Sequence, residues 1–406
     1  MCAEQIVPLF THRLVRSFIA CAALLALVAS PVRAQRTVHG IVFNDANGNG
    51  VMDAGERPVP GVVVSNQRDV VTTDAAGRYR LAADDKAIVF VSVPTDWQTV
   101  GTFWRAVASS DSISFGLKAV RQPRTFRFIH ASDTHIDTTS VGRVRRFRAM
   151  ADSIGPAFTL FAGDLIKDSM SQQEPQARAW FELFLSEMKP LSAPYWAVPG
   201  NHDHFGIIQS RSHVPATHPL YNRGMYRYYF GPEYYSFNYG GVHFIGLDTV
   251  QPDDSAYFGG VDSVQFAWLV RDVATLPASM PIVTFAHIPL ASGFDTMIGY
   301  FDMALVSSIA HSNMGTSYRH TGANTIAVLD AFKGHQLPLI LGAHMHAAEK
   351  LVFQTNRGPL RFETSAAIVG DNDLGSLTAP SGFSVYTVTN GVIDAGAFVP
   401  LTMPKR

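Results

Sequence analysis

Short apolar runs that end on turn-forming or ligand-type residues recur along this chain. Between residues 36 and 118 they are β-branched or aromatic: Val38 to Phe43, Val62 to Ser65, Val70 to Thr73, Tyr79 to Leu81 and Ile88 to Val93. Asn47-Gly48-Asn49-Gly50, Pro60-Gly61 and Asp74-Ala75-Ala76-Gly77 separate them with turn chemistry. The pattern predicts a small all-β sandwich over residues 36–120, and Gln122-Pro123 reads as the linker after it. From Phe126 onward, strands alternate with helices, which predicts an α/β domain over 124–400. The strands are Phe126 to Ile129, Phe158 to Phe161, Trp196 to Val198, Ile282 to Phe285 and Leu339 to Leu341. Gln176 to Met188 sets Ala177, Trp180, Phe184, Leu185 and Met188 at helical spacing, and Gln265 to Val273 predicts another helix. Gly240-Gly241 turns one hairpin, and Asn390-Gly391 turns a second between Phe383 to Thr389 and Val392 to Phe398.

Composition narrows the classes. A chain of 406 residues that is 47% hydrophobic has material for one large and one smaller domain. With 16% charged residues and a net charge of −1, it offers no basic face, and no nucleic-acid partner is expected. Arg13 and Arg16 precede the uncharged apolar run Phe18 to Ala29, and Val32-Arg33-Ala34 supplies small residues for cleavage. Residues 1–34 therefore read as a signal peptide, with a mature chain from Gln35 and a periplasmic or secreted location. Both cysteines, Cys2 and Cys21, lie in that segment, so the expected mature chain has no disulfide and no thiolate ligand. Removing three Arg and one Glu with it moves the net charge to about −3, which further disfavours polyanions. No later run is long and apolar enough to span a membrane.

Candidate chemistry sits at the ends of the predicted strands. Asp133-Thr134-His135, Gly163-Asp164, Gly200-Asn201-His202-Asp203, Ala286-His287 and Ala343-His344-Met345-His346 each follow an apolar run. Carboxylate, amide oxygen and imidazole together suit Mn, Fe or Zn better than Ca or Cu. Taken in this order, the five motifs resemble those of the calcineurin-like metallophosphoesterase superfamily over roughly residues 124 to 400. The resemblance implies a four-layer α/β/β/α sandwich, two divalent or trivalent transition-metal ions and a small phosphate ester as substrate. It makes Asp164 the bridging ligand, with Asp133, His135 and His346 completing one site and Asn201, His287 and His344 the other. It further implies attack by a metal-bridged hydroxide, with His202 assisting the leaving oxygen and Asp203 orienting that imidazole. Asp168 reads as a helix-start or supporting carboxylate near Asp164, and His204, after the third motif, is a candidate substrate contact.

The chain departs from related patterns in two places. Ala343 stands where the last motif usually has glycine, which predicts a backbone adjustment without loss of a ligand. His135 and Lys167 occupy positions that are glycine and tyrosine in purple acid phosphatases, so no tyrosinate–iron centre is expected. The motif set resembles cyclic-nucleotide and glycerophosphodiester hydrolases, which favours diesters. A phosphomonoesterase is the alternative, followed by a non-catalytic metal-binding surface protein.

A second metal candidate lies in the first domain. Asp45, Asn47, Asn49, Val51, Asp53 and Glu56 match the ligand positions of a twelve-residue calcium loop, with Gly50 at its turn. Set between β-like runs, it resembles loops in serine-aspartate-repeat B-domains and implies a structural calcium. Thr73-Asp74-x-x-Gly77-x-Tyr79 resembles the turn of carboxypeptidase-regulatory-like sandwiches. Tyr221, Tyr226, Tyr228 and Tyr300 are expected to pack on one another rather than on substrate.

Overall fold

Strand alternation decides the layering. In the strand Thr125–Ala131, Phe126 and Phe128 enter one core while Ile129 and Ala131 enter another. Phe158 and Leu160 likewise separate from Phe161. A sheet buried on both faces this way must be covered twice. The computed structural model describes residues 36–107, 110–253, 257–294, 309–312 and 315–403. The expected signal segment and Tyr300 lie outside the described residues.

The first catalytic sheet runs Tyr195–Val198, Phe158–Ala162, Thr125–Ala131, Gly382–Thr389 and Val392–Ile393, with Ala397–Pro400 also paired to Gly382–Thr389. Its first three strands are parallel. The helices Val141–Ile154 and Glu174–Met188 cover its outer face through Val144, Phe147, Ala177, Phe181 and Phe184. The second helix is rotated slightly from expectation: Phe181 is buried, while Trp180 and Leu185 are half-buried. Arg145 and Arg148 explain part of this, because both pair with Glu187 and draw it into the helix contact.

The second sheet runs Tyr235–Tyr239, Val242–Leu247, Pro281–Ala286, Gln336–Gly342, Gly358–Thr364 and Glu349–Thr355. Parallel pairing links Val242–Leu247, Pro281–Ala286, Gln336–Gly342 and Gly358–Thr364. The helix Ser263–Val273 packs its Trp268, Leu269 and Val273 into the same core. Between the two sheets, Phe128 stacks on Phe158 at 5.7 Å and on Tyr386 at 5.0 Å, and meets Phe244 edge-on at 5.5 Å. The catalytic part is thus the expected sandwich of helices, two sheets and helices.

Residues 36–119 form two four-stranded sheets that pack as an all-β region. This region shares its core with the catalytic part. Phe90 meets Trp268 at 6.3 Å, Ser236 Oγ bonds Ser92 Oγ at 2.9 Å, and Gln67 bonds Glu233 and the Tyr234 carbonyl. Arg36–Arg406 is accordingly one compact unit.

The calcium-type loop closes on its own hydrogen bonds. Asp45 is buried and accepts from the amides of Gly48, Asn49 and Gly50. Asp53 accepts from the side chains of Asn47 and Asn49, and Glu56 from the amides of Ala46 and Asp53. Among the described residues, Asp45, Asp53 and Glu56 do not form a cluster of ligand atoms lying within 4.8 Å of one another.

Candidate metal centre

Parallel strands place their carboxyl ends at one edge, so the residues just beyond them converge. Asp133 and His135 follow Thr125–Ala131, Asp164 follows Phe158–Ala162, and Asn201 follows Tyr195–Val198. His287 follows Pro281–Ala286, while His344 and His346 follow Gln336–Gly342. The loops then bind each other: Asp133 N donates to the Gly163 carbonyl, His135 N to the Asp164 carbonyl and Ala343 N to the His287 carbonyl.

The ligand atoms meet in two adjoining groups. Asp133, His135 and His346 form one, with His346 Nε2 3.1 Å from Asp133 Oδ1 and 3.2 Å from His135 Nε2. Asp164, His287 and His344 form the other, with His287 Nε2 3.1 Å from His344 Nδ1 and 3.0 Å from Asn201 Oδ1. Asp164 Oδ2 faces both, at 3.5 Å from His135 Nε2 and 3.3 Å from His287 Nε2. His287 Nδ1 donates to the Ala162 carbonyl at 2.8 Å, which leaves Nε2 with its lone pair toward the centre.

Burial and strain both point to cations here. Asp133 and Asp164 are buried, and among the described residues their ion-pair partners are histidines. Among the described residues, the groups facing the buried Asp133 Oδ1 are imidazoles, His346 Nε2 at 3.1 Å and His135 Nε2 at 3.7 Å. Of the ten non-glycine residues described at positive φ, five are Asp133, Asp164, His135, His344 and His346. Such backbone costs about 1–3 kcal/mol per residue and persists where the surroundings enforce it. Four imidazoles, two carboxylates and an amide oxygen, without thiolate, fit two first-row transition metals. Ala343 leaves the last motif intact: it is buried outside the positive-φ set, and His344 still reaches the centre.

His202 also faces the centre, 4.6 Å from the His135 ring and grouped with His135 and Asp164. Its backbone N donates to Asp164 Oδ1 at 2.9 Å. Asp203 does not orient it, contrary to expectation. Asp203 is buried and accepts from the amides of Leu165, Ile166 and Gly200, which ties the Asp164 turn to the Asn201 turn. Burial and the charge of Asp164 push its pKa up to about 7. The Lys167 carbonyl holds His202 instead, at 2.7 Å from Nδ1, with Asp168 Oδ1 3.9 Å away. A carbonyl only accepts, so Nδ1 carries the hydrogen and Nε2 is left for substrate.

His204 is another correction. It is fully buried, with Nδ1 2.6 Å from Asn222 Oδ1 and Nε2 3.6 Å from Asp248 Oδ1, so it does not touch substrate. Asp248 also pairs with Arg223, which is bonded to Gln251 and the Val250 carbonyl. Replacing Arg223 with alanine would strand the buried Asp248. We expect a loss of about 3–5 kcal/mol, read as a lowered urea midpoint with unchanged metal content.

Three residues near the centre carry no motif. The Tyr257 ring lies 6.1 Å from His344, His320 lies 5.3 Å from it, and the Arg319 guanidinium sits 6.0 Å from the Tyr257 ring centre. Of the tyrosines expected to pack, Tyr226 does so, with its hydroxyl on the Ala197 carbonyl. Tyr228 is 61% exposed beneath Arg178.

A family model for calcineurin-like phosphoesterase matches residues 126–348, and one for the N terminal of calcineurin-like phosphoesterase matches residues 46–119. Similar solved structures include a dimetal phosphatase from Danio rerio, at 12% identity and TM-score 0.46 over 68% of this chain and 99% of that one. GAP50, the anchor in the inner membrane complex of Plasmodium, aligns at 14% identity and TM-score 0.42 over 68% and 85%. TT1561 of Thermus thermophilus aligns at 12% identity and TM-score 0.37 over 68% and 100%. No curated protein matches the chain. With the family match spanning more than half its length, the chain belongs to the calcineurin-like phosphoesterases and is a metal-dependent phosphoric ester hydrolase.

Proposed function

We propose that the protein is exported and hydrolyses phosphodiesters, with His202 protonating the leaving oxygen. The observation that carries hydrolysis is Asp164 Oδ2 facing both imidazole groups at once. The residues to hold the ions are Asp133, His135, His346 and Asp164 on one side and Asp164, Asn201, His287 and His344 on the other. Manganese, iron or zinc, when bound, would supply positive charge for phosphoryl oxygens and acidify a water at neutral pH. His202 contributes a proton position on the same face: Nδ1–H is committed to the Lys167 carbonyl, so Nε2 is the nitrogen that can serve the leaving group. Asp168 supplies the nearby negative charge that the imidazolium form needs.

Diester preference is supported by the motif order. A cavity of about 590 Å³ begins at Ala347, the residue after His346; Phe294, Leu374, Leu377 and Ala379 line it together with the charged Glu349, Lys350 and Glu363, and no residue of the metal centre does. Export is supported by the charge and hydropathy pattern of residues 1–34.

The test compares bis-p-nitrophenyl phosphate with p-nitrophenyl phosphate on the manganese-loaded mature chain. Faster diester turnover is expected, and faster monoester turnover would reverse the preference. His202→Ala is expected to lower kcat by about 10²–10⁴-fold with two ions still bound. Unchanged kcat in that variant would remove His202 from the reaction.

A further inference from the structure

Beyond the metal ligands and His202, we infer that Arg319, braced by Tyr257, is a substrate-binding residue whose guanidinium takes a phosphoryl oxygen of the ester. The inference rests on the phosphoester-hydrolase reading of the centre. Arg319 Nε is buried and, among the described residues, has no hydrogen-bond partner. A guanidinium carries five donors in a planar fork, and a buried N–H left unpaired is costly until an acceptor arrives. The acceptor that enters this site is the anionic ester.

The placement is built rather than incidental. Arg319 lies over Tyr257, and Tyr257 meets the ligand His344 edge-on at 82°. His320, the next residue, sits against His344 as well. The segment that carries both is pinned from two sides. Gly322 N donates to the Pro289 carbonyl, two residues past the ligand His287, and Ala323 N donates to the Gly259 carbonyl. The Asn324 side chain bonds both the amide and the carbonyl of Val261. Gly259 permits this approach: a Cβ there would stand 2.4 Å from the Thr321 carbonyl oxygen. The backbone just after Arg319 is therefore fixed and its guanidinium lies over Tyr257, which lowers the ordering cost of recognition.

A planar, always-charged fork matches two oxygens of a phosphate better than a point charge does. The Tyr257 ring serves as its platform.

The experiment measures inorganic phosphate binding by calorimetry on metal-loaded full chain, together with KM and kcat for both nitrophenyl esters. Arg319→Ala is expected to weaken phosphate binding and raise KM by about tenfold to a hundredfold, with two ions still bound. Arg319→Lys is expected to recover part of the affinity, and it decides the matter should the alanine variant fail to fold. Phosphate affinity and KM within about twofold of wild type in Arg319→Ala, or in Arg319→Lys where the alanine variant does not fold, would overturn the inference. The ester preference of the wild-type protein is read separately, so failure of the diester reading leaves this test intact.

Discussion

Replacing Asp164 with alanine is expected to strip both metal ions from the protein and reduce hydrolysis to the background rate. Its Oδ2 is the only carboxylate oxygen described within 3.5 Å of imidazoles from both ligand groups. Its Oδ1 accepts the backbone N–H of His202, so the same side chain also sets the third motif. Loss of an outer hydrogen-bond partner of a metal ligand typically costs about 10–100-fold in metal affinity or activity, and loss of a shared ligand should exceed that. Elemental analysis of the purified variant checks the first effect and diester turnover the second. Two ions retained with more than about a tenth of wild-type turnover would show that Asp164 is not the shared ligand.

Gly200→Ala should be nearly as damaging, although it removes no functional group. A Cβ at this position would lie 2.2 Å from Asp164 Oδ1 and 2.3 Å from Asp164 N. Neither neighbour can yield freely, since Asp164 is fixed by His202 N and by its own strained backbone. The methyl group must therefore displace the shared carboxylate. Misplacement by about 1 Å costs on the order of 10²-fold in rate, while overpacking of this kind costs about 1–3 kcal/mol in stability. Turnover should fall a hundredfold or more while circular dichroism at room temperature stays native. Wild-type turnover in a folded variant would contradict the close approach.

The strands and the ligand set were legible in sequence because both follow local rules. Apolar runs predict strands, and strand ends in a parallel sheet share an edge, so Asp133, Asp164, Asn201, His287 and His344 could be placed together from order alone. The helix Val141–Ile154 was not legible: Arg143, Arg145, Arg146 and Arg148 dilute its apolar stripe to Val144, Phe147 and Ala151. Three strands of the all-β region, Trp97–Thr99, Trp104–Ala106 and Phe115–Ala119, are too short or too polar to stand out. The roles of Asp203 and His204 failed for a different reason. Both neighbour a ligand in sequence, but the 3-10 turn at Asn201–Asp203 sends Asp203 inward and Asn222 with Asp248 encloses His204. Tyr257 and Arg319 carry no local signal, because two connections far apart in the chain bring them to His344.

The central claim is a two-ion hydrolytic centre, and metal titration of the stripped protein tests it most directly. The protein, freed of metal by chelation, would receive manganese in steps while bis-p-nitrophenyl phosphate hydrolysis and bound metal are followed together. The account predicts no activity without metal, saturation at two ions per chain, and a thermal midpoint that rises with loading. A hundredfold excess over Kd would stabilise the fold by about 2.7 kcal/mol per site. Full hydrolysis by metal-free protein, or no binding at the Asp164 centre, would contradict it.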